Sequence, residues 1–282
     1  MSEFANSEFK DKVVIVTGAG RGLGRSHAIE FGKRGAKVLV NDSGGAVDGA
    51  GSGNTAQAVV DEIIRLGGVA YANTASVADE DGAASLVEDA TTQFGTVDVV
   101  VNNAGILRDK TFTNVTMDNF RAVLDVHLLG SVYVTKAAWP IMNEKGWGRV
   151  VFTSSGSGIF GNVGQSNYAS AKMSVIGLMN VLKLEGQRKG IRVNTLAPGA
   201  VTRMTEDLQP EREGRPEQVS PAVLYLCSEE APNGLILQAA NGRYSLIKIC
   251  VTEGVDLGEN VDYESFASRL DELMQDDNLK PA

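Results

Sequence analysis

Residues 13–25 read VVIVTGAGRGLGR. Four β-branched apolar residues, Val13–Val16, stop at a turn in which Gly18, Gly22 and Gly24 are spaced Gly-x-x-x-Gly-x-Gly. An amphipathic helical pattern begins there and runs over about 23–33. A buried strand that opens into a glycine turn and then a helix brings backbone close to a ligand. It also presents unpaired N–H groups and the positive end of a helix dipole. The next apolar run, Val38–Val40, is followed by Asn41 and Asp42, eighteen residues after Gly24. An acid at that separation suits the hydroxyls of an adenosine ribose and repels a 2′-phosphate, so the unit predicts a dinucleotide site that takes NAD in preference to NADP. Arg21, Gly22, Leu23 and Gly24 are the pyrophosphate candidates, with Arg21 also able to meet a 2′-phosphate.

The same grammar continues outward. Further apolar runs at Val97–Val101, Arg149–Phe152, Ile191–Leu196 and Leu235–Leu237 alternate with helical patterns near 55–66, 79–93, 118–144, 166–189 and 217–228. Strand–helix alternation of this kind predicts an α/β fold, a doubly wound parallel sheet of the Rossmann type covered on both faces. Residues 1–253 are expected to form one catalytic domain, and 254–282 an acidic C-terminal helical extension. Within that extension Phe266, Leu270, Leu273 and Met274 fall on one helical face. The stretch 42–53, DSGGAVDGAGSG, reads as an exposed flexible loop.

Composition narrows the function. Lys+Arg is 26 and Asp+Glu 35, a net charge of −9 over 282 residues. That argues against nucleic-acid and anionic-membrane partners, which require a basic face. Glycine is abundant at 32 residues, above the usual ~7%. Cys227 and Cys250 stand alone and suit neither a disulfide framework nor a metal site. No apolar run reaches the ~20 residues of a membrane span, and neither MSEFANSEFKDK nor the terminal NLKPA reads as an address. A cytoplasmic protein is expected.

Three more segments carry chemistry. The fourth strand ends in Asn102-Asn103-Ala104-Gly105, the fifth runs into Thr153-Ser154-Ser155, and Tyr168-Ala-Ser-Ala-Lys172 opens a helix. Tyr168 and Lys172 are one turn apart on one helical face. Tyrosine, with an ordinary pKa of about 10, becomes an effective acid/base near neutrality only if neighbouring positive charge favours the phenolate. An ammonium at Lys172 and a positive nicotinamide are the expected sources.

With TGAGRGLG, these segments resemble the short-chain dehydrogenase/reductase family over about residues 10–240. The resemblance implies hydride transfer between a nicotinamide and a carbonyl/alcohol pair. Tyr168 is then the acid/base, Ser155 (rather than Ser154) steadies the substrate oxygen, and Lys172 also holds the nicotinamide ribose. It places Asn102, Ala104, Gly105, Ser76 and Val77 along the adenosine path. Pro198, Gly199, Val201 and Thr202 fall at the turn that grips the carboxamide, and 203–216 form a polar lid. The family's water-holding asparagine is replaced by His127, whose role stays open between proton relay and packing; His27 is expected to be structural. The stretches 102–110, 126–131, 137–140 and 154–172 are similar to the hydroxyacyl-CoA dehydrogenase unit of peroxisomal multifunctional β-oxidation enzymes and free-standing bacterial relatives. That points to a 3-hydroxy/3-oxo acyl-CoA thioester as small-molecule substrate. A 3-oxoacyl-carrier-protein, steroid or small-ketone reductase is the alternative, and a non-catalytic dinucleotide-binding protein a third reading. Apolar residues on more than one face of 118–144 and 166–189 predict a homodimer or homotetramer.

Overall fold

A computed structural model describes residues 7–199, 214–275 and 279–281. The described chain groups into two units, Met1–Ser245 and Leu246–Ala282.

In the first unit the elements run β1 (Val13–Thr17), α1 (Gly22–Lys33), β2 (Lys37–Asn41), α2 (Thr55–Arg65), β3 (Val69–Asn73), α3 (Glu80–Phe94), β4 (Val99–Asn102), α4 (Met117–Leu124), α5 (Gly130–Lys145), β5 (Gly148–Thr153), α6 (Gly156–Phe160), α7 (Ser166–Gly186), β6 (Ile191–Gly199), α8 (Ser220–Leu226), β7 (Ile236–Ala240) and β8 (Arg243–Ile247). The sheet order is β3-β2-β1-β4-β5-β6-β7-β8, with every pairing from β3 to β7 parallel. β1, β4 and β5 are buried along their whole length, which is why they read as unbroken apolar runs. Phe31 of α1, Ile63 of α2 and Val223 of α8 belong to one core cluster with β1, β2 and β4. Leu86, Val134, Met142, Ile176 and Met179, from α3, α5 and α7, are buried as well.

Three features differ from the sequence expectation. β3, VAYAN, alternates between exposed and covered positions and pairs only with β2, so it lacks the apolar run that marks a central strand. β8 returns through Asn241-Gly242, both with positive φ (51° and 73°). This is the two-residue turn whose twist matches a hairpin. The long helix expected over 118–144 is interrupted by a π-helical turn, Asp125–Leu129, with His127 inside it.

The second unit holds β9 (Cys250–Val251), α9 (Tyr263–Ser268), α10 (Leu270–Leu273) and β10 (Lys280–Pro281). The single helix expected through Phe266 and Met274 is two short ones, separated at Arg269, whose φ and ψ are −107° and 7°. Among the described residues no helix is long and apolar enough to cross a membrane.

At the N-terminal end of β5, Arg149 is 2% exposed. Its guanidinium donates to the carbonyls of Ser228 (2.8 Å), Gly148 (2.9 Å), Gly190 (3.0 Å) and Glu229 (3.4 Å). It also lies over the Trp147 ring at 4.3 Å. One side chain thereby ties β5 to the start of β6 and to the turn after α8. Arg149→Met leaves those carbonyls without their donor in a dry setting. Chemical denaturation is expected to show a loss of about 3 kcal/mol, and an unchanged midpoint would contradict this account.

Candidate active site

The site starts at the place where strand order reverses, between β1 and β4. Gly18 takes φ +62°, and a Cβ there would stand 2.7 Å from the Ala104 Cα. A Cβ at Gly24 would stand 2.3 Å from the Gly18 carbonyl oxygen and 2.5 Å from Asn103 Nδ2. Gly24 therefore serves the packing of α1 on the turn, whereas Gly18, close against Ala104, and Gly22 also line the cavity. No side chain caps the N-terminus of α1, and no acid lies in its first turn. Its first N–H groups are thus available to an anion.

A cavity of about 230 Å³ lies along this turn. Of the residues the sequence singled out, Gly18, Arg21, Gly22, Leu23, Asp42, Ser76, Val77, Ala104 and Gly105 line it. Asn102 does not. It is 4% exposed and donates to Thr135 Oγ1 at 2.9 Å. Its neighbour Asn103 lines the cavity instead, and its Nδ2 bonds the carbonyls of Thr17 (3.0 Å) and Gly18 (3.1 Å). Pro198 and Gly199 end β6, paired with Ala239 and Ala240. Val201, Thr202 and most of the expected lid lie outside the described residues.

The glycine-rich stretch after β2 was expected to be a flexible exposed loop. Its outer side is exposed, but Ser43, Gly45, Ala46, Val47 and Gly49 line the cavity. The Val47 carbonyl accepts from Leu107 N–H at 2.9 Å and the Asp48 carbonyl from Arg108 Nε at 2.9 Å. The loop is a strap along one side of the cavity. Asp42 anchors it. One carboxylate oxygen accepts from Gly20 N–H (2.8 Å), the other from Gly44 N–H (2.7 Å) and Thr55 Oγ1 (3.0 Å). These bonds occupy much of the carboxylate's capacity, so it cannot be free to take two further ribose hydroxyls without rearrangement.

The other expected residues meet around α7. Ser155 caps α6, its hydroxyl oxygen accepting from Ser157 N–H at 3.2 Å, and it is hydrogen-bonded to the Tyr168 hydroxyl. Ser154 turns inward and donates to the Lys172 carbonyl at 2.7 Å, which leaves Ser155 as the serine at Tyr168. Lys172 is 4% exposed and its Nζ lies 5.6 Å from the Tyr168 ring centroid. Burial brings its pKa from 10.5 down to about 7. The Tyr168 pKa goes up, not down. Burial is the main cause, Asp109 adds to it and the Ser155 hydrogen bond works against it. The protein alone therefore does not produce the lowering that acid/base work at neutral pH requires.

His127 is buried and packs edge-on to Tyr168, with ring centroids 5.1 Å apart. Nε2 lies 3.0 Å from the Ile106 N and 2.8 Å from the Ile106 O, and Nδ1 has no protein partner in either tautomer. Burial, then the charge at Lys172, hold its pKa well below 6.5, so the ring is neutral. A Cβ at Gly105 would strike its Cε1 at 2.3 Å. His27 is likewise buried and neutral, its Nδ1 2.8 Å from Ser220 Oγ, between α1 and α8. Two residues missed in the sequence complete the site: Asn103, adjacent to a chosen asparagine, and Asp109, whose charge acts on Tyr168.

Comparison with known proteins agrees with this geometry. The short chain dehydrogenase family profile matches residues 12–213. The chain belongs to the short-chain dehydrogenase/reductase family and is an oxidoreductase using a nicotinamide dinucleotide. It is 46% identical over 269 residues to a short-chain type dehydrogenase/reductase of Mycobacterium tuberculosis, covering 94% of each chain. It is 48% identical over 239 residues to peroxisomal multifunctional enzyme type 2 of Mus musculus, covering 83% of this chain and 32% of that enzyme. A crystal structure of a short chain dehydrogenase from Mycobacterium avium superposes with a TM-score of 0.84 at 40% identity, covering 95% of this chain and 96% of that one.

Proposed function

We propose that the chain moves a hydride between NAD and the 3-hydroxy/3-oxo carbon of an acyl-CoA thioester. The observation that carries the reading is the meeting of Ser155, Tyr168 and the buried Lys172, with the His127 ring against Tyr168 and bonded to Ile106, a residue that lines the dinucleotide cavity. The acyl thioester is supported by the resemblance of residues 102–110 and 154–172 to peroxisomal multifunctional enzymes and by the 48% identity to one of them.

The glycine turn, the free N–H groups of α1 and the Asp42 strap fit the adenosine and pyrophosphate of a dinucleotide. When bound, the nicotinamide supplies or accepts the hydride. Tyr168 exchanges a proton with the substrate oxygen, and the Ser155 hydroxyl steadies charge on that oxygen. Lys172, kept dry beside Tyr168, favours the phenolate when it is protonated. His127 holds a water on Nδ1 for proton exchange with Lys172, a role for which a neutral, unpaired ring nitrogen is suited. A panel of 3-oxoacyl-CoA, acyl-carrier-protein and steroid substrates, followed by NADH absorbance, tests the reading. The CoA esters are expected to lead by about tenfold or more in kcat/KM. Tyr168→Phe should leave below about 1% of turnover with NAD affinity retained. A steroid preference would replace the substrate, and a Tyr168→Phe enzyme of near-normal rate would remove the catalytic assignment.

Cofactor preference follows from Asp42. A phosphate about 4 Å from a carboxylate costs roughly 4 kcal/mol at an effective dielectric near 20, and exposed Arg21 offsets only part of it. NAD should therefore exceed NADP by about tenfold or more in kcat/KM. Asp42→Ala removes the repulsion together with the bonds to Gly20, Gly44 and Thr55. It should narrow the ratio while weakening both cofactors, and a wild-type preference for NADP would reverse the ranking of Asp42 and Arg21.

Self-association is supported by α7. Met173, Val181 and Leu184 are exposed at 41%, 52% and 67% along one stripe that includes Gly177. A dimer or tetramer is expected by light scattering at micromolar concentration, and a monomer there would end the inference.

A further inference from the structure

Residues 105–110 form a tie-bar between the cofactor strap and the first turn of α7. On the strap side Leu107 N–H and Arg108 Nε bond the Val47 and Asp48 carbonyls. On the α7 side Lys110 N–H donates to the Gly164 carbonyl at 2.9 Å. Asn167 Nδ2 donates to the Arg108 carbonyl at 3.1 Å, and Asn167 Oδ1 accepts from Tyr168 N–H at 2.8 Å. The third link is a side-chain pair. Gln165, 5% exposed, donates from Nε2 to Asp109 Oδ2 at 2.6 Å, and Asn162 Nδ2 fixes the Gln165 amide by donating to its Oε1 at 3.0 Å. Asp109 Oδ1 is buried with no protein partner. A carboxylate with one oxygen clamped and the other dry and unpaired is expensive for a purely structural latch, because a neutral amide would hold Gln165 equally well.

We propose that Asp109 is a positioning residue of the active site: its carboxylate, clamped by Gln165, fixes the first turn of α7 so that Tyr168 meets Ser155, and sets its negative charge beside that turn. The groups that act on Tyr168 are then Asp109 on the tie-bar, Lys172 on α7, the Ser155 hydroxyl at the start of α6 and the neutral His127 ring on the π-helical turn. Of the two charged groups, Asp109 opposes the phenolate and Lys172 favours it. Asp109 keeps the proton on Tyr168 until further positive charge arrives, which couples proton release to binding of the oxidised cofactor.

The inference rests on Tyr168 as the acid/base but needs no substrate to test. Tyrosinate absorbance near neutral and alkaline pH is titrated in wild type, Tyr168→Phe and Asp109→Asn, with and without NAD⁺. The component missing in Tyr168→Phe reports Tyr168. Asp109→Asn keeps an acceptor for Gln165 and removes the charge. It should move that component to lower pH by about half a unit or more and, since Tyr168 is protonated at neutral pH in both cofactor-free proteins, release at least as much proton on NAD⁺ binding there. An unmoved component in a folded Asp109→Asn protein overturns the inference, whereas retained turnover in Tyr168→Phe overturns the catalytic reading instead. Gln165→Leu frees the carboxylate without removing it. It should lower kcat more than it raises KM, and a pure KM effect would also count against the positioning role.

Discussion

The structure depends on a short stitch between β1 and β4. Thr17 Oγ1 accepts from the backbone N–H groups of Asn103 (3.0 Å) and Ala104 (3.1 Å), and Asn103 Nδ2 returns bonds to the Thr17 and Gly18 carbonyls. The two strand ends leave the sheet in opposite directions here, so their peptide groups would otherwise be unpaired at the mouth of the crevice. Satisfying them with one hydroxyl and one amide lets the chains approach until only glycine fits at 18 and 24. The glycine requirement is thus set by neighbouring backbone as well as by any ligand.

From that stitch the chain continues into the tie-bar at 105–110, and the rest of the site is hung from it. Gly105 gives room to the His127 ring, Ile106 meets its Nε2, Leu107 and Arg108 carry the strap, and Asp109 and Lys110 carry the turn before Tyr168. The strap after β2 and the first turn of α7 are therefore positioned by six consecutive residues that form neither helix nor strand. A loop achieves this because its backbone polar groups are not consumed by a ladder and can be spent on three neighbours at once.

What was legible in the sequence is what repeats or is enforced by spacing. The apolar runs marked the central strands because those strands are buried on both faces. Gly18, Gly22 and the Tyr168/Lys172 pair were visible because backbone approach and helical periodicity restrict residue type and distance. β3 escaped because one face and one edge are open, and the Asn241-Gly242 hairpin escaped although its turn signal was present. Asn103 and Asp109 could not be separated from their neighbours by pattern alone. Which of two adjacent asparagines turns toward the cavity depends on strand pleat at a strand's last residue, where register is lost. The strap at 43–53 looked like an unstructured loop because glycine content reports backbone freedom, and the bonds that remove that freedom come from residues sixty positions away.

Two buried cations show how structural and catalytic demands differ within one fold. Arg149 is dry and burial lowers its pKa, but its donors reach four carbonyls and Glu229 lies 3.7 Å away, so its charge keeps several protein partners. Lys172 is nearly as dry, and its Nζ donates to the Thr153 carbonyl. A fall from 10.5 to about 7 corresponds to roughly 5 kcal/mol withheld from the folded state. Because the folded protein binds this proton less tightly than the unfolded chain, stability rises as pH climbs from about 7 toward 10.5, and the full penalty is present below that window. A fold that gives Arg149 four carbonyl acceptors has the means to do the same for Lys172. Leaving it under-solvated one turn from Tyr168 gives an ammonium whose charge is only marginally held near neutral pH, and whose proton is therefore available to the reaction.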